Sequence, residues 1–301
     1  MARTETQARP PLEFDGHFLK RLEFLNVVAK KILSGRMRAD RKSIRKGSSA
    51  EFADHRAYVA GDDPRRVDWH LFGRLEEVFL KLYREEENLH LSLLVDVSES
   101  MNRGTPHKLN YGLTVAAALA YIGMANMDAA NLLPFGGRIE DARWGLKGRS
   151  KLFPMLEFLK GVEPVGETRM APVLREFVKR ERRRGVVIVI SDFFDLDGYQ
   201  QALKYLRYQH HDVYVIHVVD RQEEKPDLRG DLRLVDSETG DFKEINVTDS
   251  LLTRYEASFE KLAGSIESFC IRNEMGYVRA RTDIDFDELV MRILRRGGVV
   301  G

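Results

Sequence analysis

Asp96-Val97-Ser98-Glu99-Ser100 sets three oxygen-bearing side chains at alternate positions, directly after the apolar run Leu91-Ser92-Leu93-Leu94-Val95. In extended or turning backbone, alternate side chains turn toward one point. One carboxylate and two hydroxyls are hard ligands, suited to Mg²⁺ or Mn²⁺ rather than Zn²⁺. Two further pieces lie downstream. Five consecutive β-branched residues, 186–190, end in Ser191-Asp192, which places a second carboxylate at a second strand end. Between the two strands, Gly166-Glu167-Thr168 sits in a loop just ahead of a predicted helix. Thr168 reads either as the cap of that helix or as a third hydroxyl ligand, and Asp192 either as a cap or as a metal carboxylate.

The elements that position these residues are legible as periodicity. Strands are predicted at 78–83, 89–95, 130–135, 186–190, 213–219 and 277–280, with a short edge strand within 138–144 after the Gly136-Gly137 turn. Helices are predicted at 108–127, 149–160, 169–183, 198–209, 249–274 and from Asp285 onward, and a hairpin at 231–247 around Ser237-Glu238-Thr239-Gly240. Strands alternating with helices indicate an α/β fold, a doubly wound, largely parallel sheet with helices on both faces. In such sheets ligands collect at the carboxyl ends of the strands, where Asp96 and Asp192 fall.

Ahead of this body, residues 1–12 read as a disordered tail and 13–75 as an N-terminal helical and extended segment, so that 76–301 is the α/β domain. Asp15 is placed to cap an amphipathic helix running to about Ser34, with Phe18, Leu19, Leu22, Leu25, Ala29 and Ile32 on one stripe and Gly35 as its stop. The basic stretch that follows (Arg36, Arg38, Arg41, Lys42, Arg45, Lys46) reads as a solvated connector or as a contact for an acidic partner. It lacks the interleaved aromatics of a nucleic-acid stacking surface.

Composition narrows the function. A net charge of +1 over 301 residues creates no global field toward nucleic acid or membrane. The single Cys270 excludes an internal disulfide framework and a multi-cysteine zinc site. No apolar run reaches a membrane span and the polar N-terminus has no signal-peptide core, so the cytoplasm is the simplest address.

The set Asp96, Ser98, Ser100, Thr168 and Asp192 resembles the metal-ion-dependent adhesion site (MIDAS) of von Willebrand factor A domains: Asp-x-Ser-x-Ser, a Thr in a later loop, then an Asp after a hydrophobic strand. The resemblance covers roughly residues 88–290 and implies Mg²⁺ or Mn²⁺ held by these five residues, with a partner's carboxylate completing the shell.

A second resemblance is narrower. Residues 47–69 are similar to the signature of a bacterial family with a domain of unknown function, DUF58, which stands ahead of a von Willebrand A-like domain. Its pattern falls on Arg56, Tyr58, Gly61, Asp62, Asp63, Arg65, Asp68 and Trp69, with Val67 where the family has Ile. Many members carry membrane helices before the signature; here an amphipathic helix stands there instead. On physical grounds Gly61-Asp62-Asp63-Pro64 is turn chemistry, Trp69 is expected as a buried anchor, and the Arg and Asp side chains can pair. The segment is therefore either a clamp tying the front segment to the body or a docking surface.

The two resemblances imply a non-enzymatic, divalent-metal-dependent adaptor, working with a MoxR-type AAA+ ATPase on a client protein. The alternatives are a scaffold with a vestigial metal site and a phosphatase-like hydrolase with Glu99, Glu167 or Asp195 as base. Against the hydrolase, a nucleophilic Asp96 of haloacid dehalogenase type would have a second Asp two residues on, where Ser98 stands. Neither a Gly-x-Ser-x-Gly elbow nor a phosphate-binding Gly-Lys-[Ser/Thr] loop is present.

Overall fold

The computed structural model describes residues 9–40, 51–84, 90–126, 129–195, 198–235 and 242–296; the side chains of 32–40 and of a few strand-end residues are not described. The first eight residues, the basic residues Arg41 to Lys46, Asp197 and the hairpin turn Ser237 to Gly240 lie outside the described residues. The chain divides into two compact units, residues 1–32 with 89–301, and residues 33–88.

Helix α1 (Gly16–Asp40) opens the first unit and runs past Gly35 into the second. Gly35 does not stop it, because a glycine ends a helix only where the chain turns into the left-handed region behind it. Asp15 caps α1 by accepting from the Phe18 amide at 2.7 Å. The stripe Phe18, Leu22, Leu25 and Ala29 is buried. It belongs to the body, with Phe18 against Phe286 at 5.2 Å and Arg21 paired to Asp287.

The second unit holds β1 (Glu51–Ala57), α2 (Trp69–Leu75) and β2 (Phe79–Arg84). β1 and β2 form an antiparallel pair of their own. The strand expected at 78–83 is therefore not part of the body sheet, and the contact boundary falls at 88/89 rather than 75/76.

The body continues with β3 (His90–Asp96), α3 (Lys108–Ala125), β4 (Ala129–Phe135), β5 (Arg143–Leu146), α4 (Leu152–Lys160), α5 (Met170–Arg180) and β6 (Val186–Ser191). It ends with α6 (Gln200–Tyr208), β7 (Asp212–Val219), α7 (Arg221–Glu224), the hairpin β8 (Gly230–Val235) and β9 (Phe242–Val247), α8 (Asp249–Arg272), β10 (Gly276–Arg281) and α9 (Phe286–Arg296). The six-stranded sheet has the order β10-β7-β6-β3-β4-β5, parallel except for the antiparallel edge strand β5. Strand order reverses between β3 and β6, which makes the crevice at their carboxyl ends the topological switch point.

Both faces of the sheet are covered, which is why its strands read as unbroken apolar runs. Leu94, Leu133, Val187, Val189, Val213 and Val215 form one core with α5, α6 and α8. On the other face Val95 and Ile190 reach Gly112 of α3, and Leu91 reaches Gly123. Fifteen of the 18 residues of α3 are buried, so this helix has no solvated face. No helix among the described residues is long and apolar enough to cross a membrane.

Candidate metal centre

The end of β3 is laced to two neighbouring loops by backbone bonds. Val97 donates to Phe135 at 2.8 Å, Val165 donates to Val97 at 2.6 Å, and Glu99 donates to Gly166 at 3.0 Å. Arg169 donates to Gly136 at 3.2 Å. Together these hold the 165–168 loop over the end of β3, and Gly166 turns it with a φ of +52°. Gly136 permits the close approach: a Cβ there would stand 2.5 Å from the Val165 carbonyl oxygen. Gly136→Ala is expected to displace the loop, costing about 1–3 kcal/mol of stability. It should also weaken divalent-ion binding in a calorimetric titration, because Thr168 moves with the loop.

Asp96 is fully buried at the centre of this arrangement. Its Oδ1 accepts from the Ser98 amide at 3.0 Å, and Thr168 Oγ1 donates to its two oxygens at 3.1 and 3.0 Å. Ser98 Oγ and Ser100 Oγ are 3.0 Å apart. Asp192 is fully buried, at the end of β6; its Oδ1 accepts from the Phe194 amide at 3.3 Å. Burial, and then the charge of Asp192, push the Asp96 carboxyl up to about 7. All five expected ligands thus stand at the switch point, around two buried carboxylates whose charges repel.

Three participants were not read from the sequence. Ser191 Oγ donates to Asp96 Oδ2 at 2.6 Å and accepts from the Phe193 amide at 2.9 Å. Lys108, the first residue of α3, has a fully buried side chain whose Nζ donates to Asp192 Oδ2 at 2.7 Å. The same Nζ donates to Glu223 Oε1. Burial opposes the ammonium charge, but Asp192 and Glu223 hold it above the ordinary lysine value. The two expected carboxylates are therefore not alone: one already carries a cation.

The residues fit a hard divalent ion. The donor set is two carboxylates and three hydroxyls, and no group of three His, Cys, Asp or Glu able to hold a metal occurs among the described residues. A divalent ion held here would depend on the hydroxyls and on water as well as on the two carboxylates. The groups considered as a hydrolytic base are engaged elsewhere. Asp195 Oδ2 accepts from the Met170 amide at 2.9 Å at the start of α5, Glu99 accepts from Asn102 at 3.2 Å, and Glu167 pairs with Arg169 at 3.3 Å. Of the two adjacent phenylalanines, Phe193 is core, and Phe194 is 37% exposed with its ring 5.6 Å from Lys108 Nζ.

The signature residues lie in the second unit, where they pair with one another. Arg56 donates to both oxygens of Asp62 at 2.8 Å, and Asp62 also accepts from the Val59 amide at 2.9 Å. Gly61 takes a φ of +105°, which a side chain would strain. Asp63 accepts from the Arg65 amide at 3.0 Å. Asp68 caps α2 through the His70 and Leu71 amides at 3.1 and 3.2 Å, and meets His55 at 2.9 Å. The His55 hydrogen bond is the main cause holding the Asp68 carboxyl down to about 2.

Trp69 is the correction: it is 63% exposed, not a buried anchor. It meets Phe72 edge-on at 6.1 Å, and Tyr58, Phe72 and Leu75 are exposed as well. Among the described residues of the signature, Val67 and Asp68 are buried. Indole burial is replaced here by the cap and ion pairs of Asp68, which fix the turn without it. Trp69→Ala is accordingly expected to change stability by less than about 1 kcal/mol, as surface substitutions do; a denaturant titration checks this.

The fold and centre together define a mostly parallel α/β domain with a carboxylate and hydroxyl site at its switch point. The chain belongs to the family described as protein of unknown function DUF58, which matches residues 54–263. It is 27% identical over 293 residues to uncharacterized protein Rv1480 of Mycobacterium tuberculosis, covering 93% of this chain and 90% of that one. It is 31% identical over 140 residues to uncharacterized protein MAV169 of Mycobacterium avium, covering 44% and 79%. Similar solved structures include the conserved hypothetical protein BatB of Bacteroides thetaiotaomicron, at 15% identity and a TM-score of 0.42, covering 69% of this chain and 100% of that one. Manganese-loaded TRAP protein of Plasmodium vivax is similar at 22% identity and a TM-score of 0.35, covering 43% and 57%.

Proposed function

We propose that this protein is a non-enzymatic adaptor that binds a protein partner through a divalent ion. The observation that carries the reading is the placement of Asp96 and Asp192 at the ends of β3 and β6, on the two sides of the switch point, with three hydroxyls beside them. Asp96, Ser98, Ser100, Thr168 and Asp192 would hold Mg²⁺ or Mn²⁺. A bound ion supplies an electrophilic position that an anionic oxygen from outside can fill. Mg²⁺ keeps several waters and is seldom fully enclosed by protein, so an exchangeable position is left.

The roles of the chain's own residues follow from this. Thr168 and Ser191 orient the Asp96 carboxylate, and the 165–168 loop keeps the hydroxyls at its edge. Phe194, half exposed beside Lys108, offers apolar contact to whatever approaches. The exposed Trp69, Phe72 and Leu75 of α2 favour the docking reading of the signature over the clamp. The partner suggested by the family resemblance is a MoxR-type AAA+ ATPase, with a client protein delivered to it in the cytoplasm.

The test is capture by the immobilised chain of a purified MoxR-type ATPase from the same genome, with Mg²⁺ and with excess chelator. Capture is expected to require the ion and to fail in Asp96→Asn. Capture that persists fully in chelator removes the centre as the docking point and leaves the signature unit as the candidate.

A further inference from the structure

Lys108 is the only charged residue of α3, and its side chain is fully buried. Burying an ammonium is costly unless it is paired. Here two carboxylates from two different strand ends converge on it: Asp192 after β6, 1% exposed, and Glu223 after β7, 25% exposed. Glu223 is itself fixed, because its Oε2 accepts from the Asp220 amide at 3.1 Å. Tyr255 of α8 and His217 of β7 also feel this charge, and burial holds His217 down to about 4, neutral at physiological pH. An ammonium has no lone pair to offer a metal. It takes Asp192 Oδ2, and leaves Oδ1 with a single long contact to the Phe194 amide.

We propose that Lys108 is a resident counter-cation of the centre: held by Glu223, it neutralises Asp192 in the metal-free protein and thereby sets how tightly a divalent ion binds. This rests on the metal reading given above. With Asp96 ionised, as a bound cation requires, Asp96, Asp192 and Glu223 against Lys108 leave two net negative charges, matched to a divalent ion. Without the ammonium the same cluster carries one more negative charge and attracts the ion more strongly; without Glu223 it carries one fewer. Lys108 thus limits metal affinity while keeping the empty centre from bringing unpaired carboxylates together. The ion is then held tightly enough to bind but loosely enough to exchange.

The experiment is calorimetric titration of the full chain with Mn²⁺ alone, paired with thermal unfolding in Mn²⁺ and in chelator. Lys108→Met is expected to bind Mn²⁺ at least about tenfold more tightly than the parent, since one unit charge is removed within a few ångströms of the site. Its midpoint should fall in chelator and recover by a larger increment on adding Mn²⁺, because a tighter ligand stabilises more. Binding detectable in Lys108→Met and absent from the parent supports the proposal equally. Unchanged or weaker binding in Lys108→Met overturns it, and makes Lys108 a residue that merely orients Asp192. If Lys108→Met cannot be purified, Glu223→Gln decides: Mn²⁺ affinity at least about threefold weaker is expected, and unchanged or tighter affinity overturns the proposal. Absence of Mn²⁺ binding in the parent and both variants overturns the metal reading itself, and this proposal with it.

Discussion

Asp192→Ala is expected to lower the unfolding midpoint of the protein in chelator by roughly 5–10 °C, whereas Asp96→Asn leaves it within about 2 °C at neutral pH. The asymmetry comes from the cation. Truncating one partner of a buried ion pair costs about 3–5 kcal/mol, because the other charge is left buried. Lys108 keeps Glu223, and loss of Asp192 relieves its repulsion of Asp96, so about 2–3 kcal/mol is expected here. Among the described residues, no such cation is paired with Asp96. Its carboxyl accepts from Ser98, Thr168 and Ser191, and an asparagine in its place still accepts from the Ser98 amide.

The pH dependence carries the same signature. The Asp96 carboxyl is raised to about 7, first by burial and then by Asp192; in an unfolded chain an aspartate titrates near ~3.9. The folded protein therefore holds this proton more tightly than the unfolded chain does. The group's contribution to stability is fully present below about pH 4 and is lost as pH rises toward about 7. Asp96→Asn removes that loss, so its midpoint should gain on the parent's as pH rises from about 4 to about 7. Denaturant titrations in chelator across that range check it. If Asp96→Asn proves as damaging as Asp192→Ala at neutral pH, the assignment of the ammonium to Asp192 is wrong.

Much of the centre was legible because ligand placement follows strand ends. The apolar runs before Asp96 and Asp192 announce strands buried on both faces, and the spacing of Ser98 and Ser100 announces convergence. Thr168 was legible as an oxygen at a helix start, although not which of its two roles applied; in the structure its hydroxyl lies on Asp96 and not on a helix amide. Lys108 was not legible. A lysine opening an Ala- and Leu-rich helix reads as a solvated first turn, and only the packing of α3 against the sheet turns its ammonium inward. Glu223 was hidden for a similar reason, since Asp220 to Glu223 spells an ordinary capping box and local spacing does not show that one carboxylate oxygen also reaches across to another helix. Ser191 was hidden as well: alternation sends it to the opposite side of the backbone from Asp192, yet its hydroxyl reaches Asp96.

The second unit was misread more broadly. β1 was not foreseen, because Glu51 to Ala57 has no apolar alternation and is stabilised as a strand by pairing with β2. That pairing removes residues 78–83 from the body sheet. Trp69 was expected inside because large aromatics usually are, yet the turn is fixed by Arg56, Asp62 and Asp68 and the indole is left outside.

The central claim is that Asp96, Ser98, Ser100, Thr168 and Asp192 hold a divalent ion, and calorimetric titration with Mn²⁺ tests it most directly. The parent chain should bind a single Mn²⁺, with competition by Mg²⁺. Asp96→Asn should weaken binding at least about a hundredfold, since it removes a charged ligand from a site with only two carboxylates. Ser98→Ala should weaken it less, since it removes a neutral one. Unchanged Mn²⁺ affinity in a folded Asp96→Asn, or no binding by the parent, would contradict the account.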